Sequence, residues 1–315
     1  MKKCLNRVTL EGYIYQHTLE VKTVQNQASE NFGKEFINGQ IDIVVDDEGL
    51  NIVPVRYTYV VPTTSKGATN RTYGVLKGIM ENGKTWLECG SNATKVKCDT
   101  VFALNDFYAQ DGTLVSQMVQ EGGFISTIAD FTKDSQGNYT ARNKFEIDLL
   151  ITKFTRVEAD DENGTPEFGK VHAAGFNFRN QILPMDFIIK NPKGLDHLDD
   201  LDISGGNPIF VKAWGVINHI STKVNKVEES AFGESMVTSY DKKVREWIIT
   251  GISPTPYDFG EENVLTVEEV QNALQDREVL LADVKKRADE YRASKAATPA
   301  APAVAPKATT ATFNF

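Results

Sequence analysis

Apolar and polar positions alternate near the start of the chain, over residues 6–15. This two-residue period predicts a half-buried β-strand. A glycine inside such a strand marks a sharp bend or a close backbone approach, so Gly12 predicts the corner of a small barrel. The buried face would carry Val8, Leu10, Gly12 and Ile14, and the other face would carry Arg7, Thr9, Glu11, Tyr13 and Tyr15.

Four further strands and a short helix are predicted before residue 120. Acidic and glycine-containing turns separate several of them, and residues 16–33 are polar and irregular. The predicted elements are strands over 36–45 and 50–61, a helix over 71–80, an extended segment over 85–89, and strands over 95–108 and 114–119. Three strands, a helix and a closing hairpin form the order of a five-stranded oligonucleotide-binding (OB) barrel.

A similar order of elements is predicted for the second half of the chain, with longer loops. Direct identity between the halves is low, so the repeat is inferred from the order of elements. The predicted elements are strands over 123–129, 144–156, 170–179 and 181–190, an acidic helix over 195–201, and strands over 208–220 and 243–252, the last two separated by a polar loop over 221–241.

The C-terminal region predicts one long helix and a flexible tail. Thr266 and Glu269 form a capping-box signature at the start of a helix with an apolar stripe through residues 267–291, which Arg277 interrupts. This helix either docks on its own barrel or forms a short coiled coil or partner-binding surface. Residues 296–312 are rich in Ala, Pro and Thr and predict a disordered linker that ends in an aromatic tip.

The predicted fold is therefore mainly β, with two tandem OB-fold-like five-stranded barrels followed by a C-terminal α-helix and a disordered tail. The predicted domains are a first OB-fold domain over 1–120, a second OB-fold-like domain over 121–258, an amphipathic helix over 259–295 and a tail over 296–315.

The composition narrows the functional classes. The 315 residues carry a formal net charge of −9, so any site for a polyanion must be local and must rely on ring stacking as well as cations. Three cysteines and four histidines lack metal-ligand spacing, and no phosphate-binding glycine loop or nucleophile elbow is present. We expect no enzyme activity, no cofactor, no metal, no membrane span and a cytoplasmic location.

Two segments and the tail resemble a known family. Residues 6–12 (Asn-Arg-Val-Thr-Leu-Glu-Gly) resemble the opening strand of bacterial and phage single-stranded DNA-binding proteins. Residues 102–108 with Asp111 and Gly112 are similar to the closing hairpin of those proteins, and a tail ending in phenylalanine is also similar to theirs. The resemblance implies a phage-like protein with two barrels in one chain that acts in DNA replication, recombination and repair.

Candidate nucleic-acid-binding residues are rings and cations on the predicted strands, because bases stack on rings and phosphates bind cations. In the first barrel they are Arg7, Tyr13, Tyr15, Lys34, Phe36, Arg56, Tyr57, Tyr59, Trp86, Phe107 and Tyr108. In the second barrel they are Lys144, Lys153, Arg156, Lys170, Phe176, Phe178, Arg179, Lys212 and Trp214.

Each ring has an alternative as a core residue. On the third strand, Tyr57 and Tyr59 share a face while Arg56 points the other way, so a regular strand cannot present all three to one ligand. Asp196, Asp199, Asp200 and Asp202 favour a solvated acidic helix over a metal site, and residues 160–162 favour a solvent-facing acidic loop.

The predicted function is non-enzymatic protection of single-stranded DNA. The tail tip, Phe313, Asn314 and Phe315, would recruit replication or recombination proteins, and the helix over 267–291 offers an oligomer contact. Two alternatives stay open at this point: a structural or protein-interaction protein built from the same barrels, and an RNA-binding protein, since stacking does not distinguish the sugars.

Overall fold

The computed structural model describes residues 4–160, 164–203, 207–228, 232–233, 236–261 and 264–297. In chain order its strands and helices are β1 (Asn6–His17), β2 (Glu20–Thr23), β3 (Glu35–Val44), β4 (Ile52–Val60), α1 (Arg71–Asn82), α2 (Trp86–Cys89), β5 (Lys95–Tyr108), β6 (Leu114–Thr127), β7 (Asn143–Val157), β8 (Phe168–Phe176), β9 (Ile182–Ile189), α3 (Pro192–Asp200), β10 (Ile209–Glu228), β11 (Met236–Ile252) and α4 (Val267–Ala297). The protein is mainly β, as predicted. The predicted disordered tail and its tip lie outside the described residues.

The first barrel closes through β1, β3, β4, β6 and β5. Strand β1 pairs with β3 and β5, β3 pairs with β4, and β4 meets β6 in the one parallel contact of the circuit. Helix α1 lies between β4 and β5, where an OB-fold carries its helix. Asn70 caps α1 by accepting a hydrogen bond from the backbone N–H of Thr72 at 3.1 Å.

The second barrel repeats this connectivity through β7, β8, β9, β11 and β10. Strand β7 pairs with β8 and β10, β8 pairs with β9, and β9 meets β11 in parallel. Helix α3 lies between the third and fourth strands of this barrel, as α1 does in the first. Two OB-fold-like barrels therefore follow one another in the chain.

The two barrels are joined by their opening strands. Strand β1 pairs antiparallel with β7, from Asn6 opposite Ile147 to Leu10 opposite Asn143, so the barrels share one 11-stranded sheet. A second junction forms at Asn51, just before β4. Its side chain donates to the carbonyl oxygen of Ile217 at 3.1 Å and accepts from the backbone N–H of His219 at 2.8 Å.

The inward face predicted for the opening strand is confirmed, but two positions of its predicted outward face, Glu11 and Tyr13, are also buried. Val8, Leu10 and Ile14 are fully buried in the barrel core. Gly12 lies where β1 bends against β3, and an added Cβ would clash with the carbonyl oxygen of Val44 and stand 2.7 Å from Cγ2 of Ile43. Asn6 links β1 to β5, because its side chain donates to the carbonyl oxygen of Phe102 and accepts from its N–H.

Four local predictions are wrong. Residues 85–89 form the short helix α2, because Thr85 and Glu88 make a reciprocal capping box. The segment predicted as irregular contains β2, which pairs with β3. Residues 123–127 belong to β6 and pair with β5, so β7 opens the second barrel. Most of the predicted polar loop over 221–241 is strand, since β10 and β11 continue as a long hairpin.

Helix α4 docks across both barrels. Its capping box is confirmed, with the Thr266 N–H donating to Glu269 at 2.8 Å. Val270 and Ala273 pack with Phe176 and Phe210 at the end of the second barrel. Further along, the helix lies against β5 of the first barrel. No helix in the described part of the chain is long and apolar enough to span a membrane.

Candidate nucleic-acid interface

The outer face of the second barrel forms a groove that we call the second-barrel groove. It has a volume of about 550 Å³ and lies over β8 and β9, between the loop before β8 and the base of the β10–β11 hairpin. The second and third strands and the two flanking loops are the surface with which OB-folds bind oligonucleotides. Its side chains include Phe168, Lys170, His172, Lys190, Arg245 and Trp247.

Cations and rings are interleaved in this groove. The Lys170 Nζ lies 5.9 Å from the centroid of the Phe168 ring. Lys170 and Arg245 make no ion pair with any described residue, whereas Lys190 is neutralised by Glu246 at 2.8 Å. Two cationic side chains without a carboxylate partner among the described residues therefore line this groove, in a protein whose net charge is negative.

The β10–β11 hairpin extends well beyond the barrel and forms an arm. Its described surface carries Lys223, Tyr240, Lys242 and Lys243, and Tyr240 is half exposed. Successive side chains of a strand point to opposite faces, so Lys242 and Lys243 lie on different sides of the arm. Lys243 stands opposite Ser221, and Arg245 stands opposite His219.

The first barrel presents a smaller ring surface on β3 and β4. The rings of Phe36 and Tyr59 lie with their centroids 4.8 Å apart, and Tyr59 is 44% exposed. Arg56 lies opposite Gln40 on the outer face and forms no ion pair with a described residue. Tyr57 and Tyr59 differ in burial because the pairing of β3 with β4 shifts register between Ile37 and Gly39.

A polar cleft of about 370 Å³ separates the barrels, and we call it the inter-barrel cleft. One wall belongs to the first barrel and the other to the base of the arm. On the first wall, Gln16 and Gln40 donate to the carboxylate of Asp42 at 2.8 and 2.6 Å. The two walls carry Tyr15, Gln16, Gln40, Asp42, Ile52 and Pro54 on one side, and His219, Ile220, Ser221, Lys243, Val244 and Arg245 on the other.

Three of the predicted rings are buried, and a fourth, Trp86, is partly buried. Tyr57 is 2% exposed, and its hydroxyl lies 3.2 Å from the Cys98 sulfur. Phe176 is fully buried beside α4. Tyr13 packs against Trp86, with ring centroids 5.1 Å apart. Tyr57 and Phe176 lie in hydrophobic cores, whereas Tyr13 lies on the outer face of β1 and is covered by neighbouring rings, so none of these three offers a free face to a base.

Three of the predicted cations are neutralised by carboxylates. Arg7 binds Asp99 at 3.0 Å, and Lys212 binds Glu146 at 3.3 Å. Arg156 is held by three carboxylates, one from the loop before β8 and two from α3. The partners of Arg156 are Glu167 at 2.6 Å, Asp196 at 2.9 Å and Asp199 at 2.8 Å. The acidic helix thus contributes to a surface ion-pair network, and Asp161 and Glu162 of the acidic loop lie outside the described residues.

The other predicted residues lie on separate surfaces. Phe178 is 74% exposed on the β8–β9 turn, facing β5 and α4, with the Arg179 guanidinium 5.1 Å from its ring centroid. Lys34 lies on the loop before β3 and binds Asn31 at 3.0 Å. Partly or fully exposed side chains on other strand surfaces are Phe107 and Tyr108 on β5, Lys144 and Lys153 on β7, and Trp214 on β10.

Sequence reasoning missed Phe168, Lys190, Lys243, Arg245 and Trp247. Polar and apolar residues alternate over 241–252, which predicts an outward face that includes Lys243 and Arg245. The sequence does not show which other strands lie beside that face. Only the folded hairpin shows that this strand leans over β8 and β9.

A buried carboxylate secures the first barrel beside the β1–β7 junction. Glu11 accepts hydrogen bonds from Lys97 at 2.6 Å and from the backbone N–H of Thr132 at 2.7 Å. Although burial opposes its charge, these bonds hold the pKa of Glu11 below its usual value. The loop after β6 is therefore tied to β1.

His219 predicts an acid-sensitive step in stability. Burial, reinforced by the Arg245 charge, lowers its pKa to about 4, so the folded protein keeps it neutral. Below about pH 6.5 the unfolded chain binds the proton first, and the free energy of unfolding should fall by about 2 kcal/mol between pH 7 and pH 5. Urea unfolding at both pH values should show this loss, and His219→Gln should remove it. An equal loss in that variant would assign the acid sensitivity to other groups.

The connectivity and the grooves define a chain that carries two OB-fold-like barrels with an open, partly cationic face. The chain belongs to the YorF family, whose model matches residues 5–287. Among solved structures it is similar to a deletion mutant of the single-stranded DNA-binding protein from Thermus aquaticus, with a TM-score of 0.45 and 11% identity over 82% of this chain and 98% of that chain. No curated protein sequence matches it.

Proposed function

We propose that this protein is a non-enzymatic single-stranded DNA-binding protein. The observation that carries the proposal is the second-barrel groove, in which the free cations Lys170 and Arg245 alternate with the rings of Phe168 and Trp247. A single strand offers phosphates and open base faces at regular intervals, and a sequence-tolerant binder meets both with cations and stacking rings. The arm would add further cations, and the Phe36–Tyr59 pair would offer rings on the first barrel.

The charge distribution favours a single strand over duplex DNA. A duplex hides its base faces and is held mainly through phosphates, which would require a broad basic surface. This protein carries a formal net charge of −9, and several of its strand cations, among them Arg7 and Lys212, are paired with carboxylates. Stacking must therefore supply much of the affinity, and only an unpaired strand permits it.

Loss of one ring and one cation should weaken binding strongly. We expect the double variant Phe168→Ala, Lys170→Ala to bind a dT thirty-mer about 10- to 100-fold more weakly, since one stacked base contributes about 1–3 kcal/mol. The slope of log affinity against log salt should fall by about 0.7, the value for one phosphate contact to a single strand. Fluorescence anisotropy of a labelled oligonucleotide over a salt series measures both quantities.

The matched control is Phe124→Ala, Lys285→Ala, which removes an exposed ring on β6 and an exposed cation on α4. Phe124 is 78% exposed and lines neither groove, so this variant should bind as the wild type does. No binding of the wild type at 50 mM salt would refute the proposal. Equal weakening in both double variants would refute the assignment to the second-barrel groove. Competition with duplex DNA and RNA thirty-mers should be weak, and tighter RNA binding would support the RNA-binding alternative.

The finer parts of the proposal concern the biological role. The protein would coat exposed strands in the cytoplasm during phage or bacterial DNA replication, recombination and repair. Its tail tip, residues 313–315, would recruit other replication proteins, and the outward side of the 267–291 helix would support self-association. Supporting this last point, Val267, Leu274 and Tyr291 are exposed on α4. Deletion of residues 298–315 should abolish partner capture and leave oligonucleotide affinity unchanged.

A further inference from the structure

His219 is a buried polar side chain at the wall of the inter-barrel cleft, and neither of its ring nitrogens has a hydrogen-bond partner among the described residues. The side chain is 7% exposed, and its ring meets Trp247 edge-on with centroids 5.3 Å apart. An unmade hydrogen bond to a buried polar group costs about 1–3 kcal/mol. Such a cost at a cavity wall indicates that a bound molecule completes these bonds.

The charge state of His219 defines which ligand group it suits. A neutral imidazole has one donor and one acceptor. The edge of a nucleobase can satisfy both, whereas a phosphodiester offers only acceptors and would leave the imidazole acceptor unpaired. Arg245 stands opposite His219 across the hairpin, so movement of this flexible side chain would open the imidazole to the cleft. Tyr15, in the facing wall, presents a ring on which a base can stack.

The cations of the cleft suit the phosphate of the same nucleotide. Lys243 and Arg245 lie on one face of β11 and have no carboxylate partner among the described residues. Asp42 lies on the opposite wall, where hydrogen bonds from the side-chain amides of Gln16 and Gln40 hold its carboxylate in place. This carboxylate repels a phosphate from the first-barrel wall and directs it to the arm.

We propose that the inter-barrel cleft binds one nucleotide of the bound DNA strand, with the base between Tyr15 and His219 and the phosphate at Lys243 and Arg245. This proposal rests on the single-stranded DNA-binding function proposed above. Arg245 lines both the inter-barrel cleft and the second-barrel groove, so the strand continues from one to the other. The cleft would thereby connect the binding faces of the two barrels, and its volume of about 370 Å³ lies within the usual range of roughly 300–1,000 Å³ for small-molecule sites.

The first test compares two neighbouring lysines. Lys243→Ala should weaken binding of a dT thirty-mer about 5- to 10-fold and lower the salt slope by about 0.7. Lys242→Ala removes the same charge from the other side of the arm and should change affinity less than 2-fold. Equal effects of the two substitutions would overturn the cleft assignment. The Phe168→Ala, Lys170→Ala variant, measured alongside, reports separately on the second-barrel groove.

The second test locates a base directly. Photo-cross-linking with a thirty-mer that contains 5-iodo-2′-deoxyuridine, followed by peptide mapping, should give adducts in the peptides of Tyr15 or His219. Adducts confined to the peptides of Phe168 and Trp247 would overturn the cleft proposal while leaving DNA binding intact. Absence of oligonucleotide binding would refute the proposed function instead. Calorimetric titration with dTMP should show no saturable binding, and saturation would identify a site for free nucleotides and not for a strand.

Discussion

Arg277→Ala should reduce the free energy of unfolding by about 3–5 kcal/mol, the cost of leaving a buried charge without its partner. Arg277 of α4 forms two hydrogen bonds with Asp106 of β5, at 2.9 and 3.1 Å, and both side chains are largely buried. After the substitution Asp106 would keep only the hydroxyl of Ser116 at 2.6 Å. Urea unfolding at pH 7 should show the loss, and hydrogen exchange should show α4 opening before the barrels.

Two variants separate the ion pair from general damage to the helix. Arg287→Ala removes an exposed arginine whose hydrogen-bond partner in the described part of the chain is the Asp283 carbonyl of its own helix, so it should cost less than about 0.5 kcal/mol. Arg277→Ala combined with Asp106→Asn should cost less than Arg277→Ala alone, because the remaining side chain is neutral. A cost for Arg277→Ala as small as that for Arg287→Ala would show that α4 is not anchored through this pair.

The role of Arg277 shows what the helix pattern could and could not predict. A charged residue in the apolar stripe of a helix indicates one of two arrangements. Either the helix leaves the barrel at that residue, or the residue makes a polar contact where the helix packs on the barrel. The sequence does not decide between them, since Asp106 is 171 positions away and its approach depends on both barrels being folded. The same stripe predicts Val270 to face inward, which is confirmed, whereas Leu274 and Tyr291 of the stripe are exposed.

The strands themselves could be predicted well because barrel strands carry their own periodicity. The predicted strand over residues 95–108 has the observed bounds of β5, and the predicted inward residues of β1, Val8, Leu10 and Ile14, are buried. The opening strand of the second barrel was assigned too early, to residues 123–129. Strand β6 is long because its pairing with β5 continues to Thr127, beyond the point where β6 meets β4. The local sequence pattern does not distinguish the end of a long closing strand from the start of a new opening strand.

The binding surface was harder to predict than the fold because exposure depends on tertiary partners. Tyr13 alternates onto the outer face of β1, yet Phe131 and Trp86 cover it, with each ring centroid 5.1 Å away. Those residues come from the loop after β6 and from α2. Conversely, Arg245 becomes part of a groove only because β11 lies beside β9. Local alternation therefore identifies outward positions but does not identify which of them remain open.

Gly12→Ala should destabilise the protein by about 3 kcal/mol, the upper end of the usual cost of inserting a methyl group into a packed site. The cause is close backbone approach, since the added Cβ would clash with the carbonyl oxygen of Val44 and lie 2.7 Å from Cγ2 of Ile43. Strand β1 pairs with β3, β5 and β7, so it cannot move away without disturbing both barrels. Chemical unfolding, followed by Trp fluorescence, measures the change.

Gly74→Ala is the matched control for this substitution. Gly74 lies in α1, and an added Cβ would meet no atom within 4 Å. Alanine lowers the conformational entropy of the unfolded chain and favours the helix, so this variant should be more stable than the wild type by roughly 0.5–1 kcal/mol. If Gly12→Ala were as well tolerated as Gly74→Ala, β1 would not bend tightly against β3. Strand β1, which also pairs with β7 of the second barrel, would then lack the close approach to β3 described above.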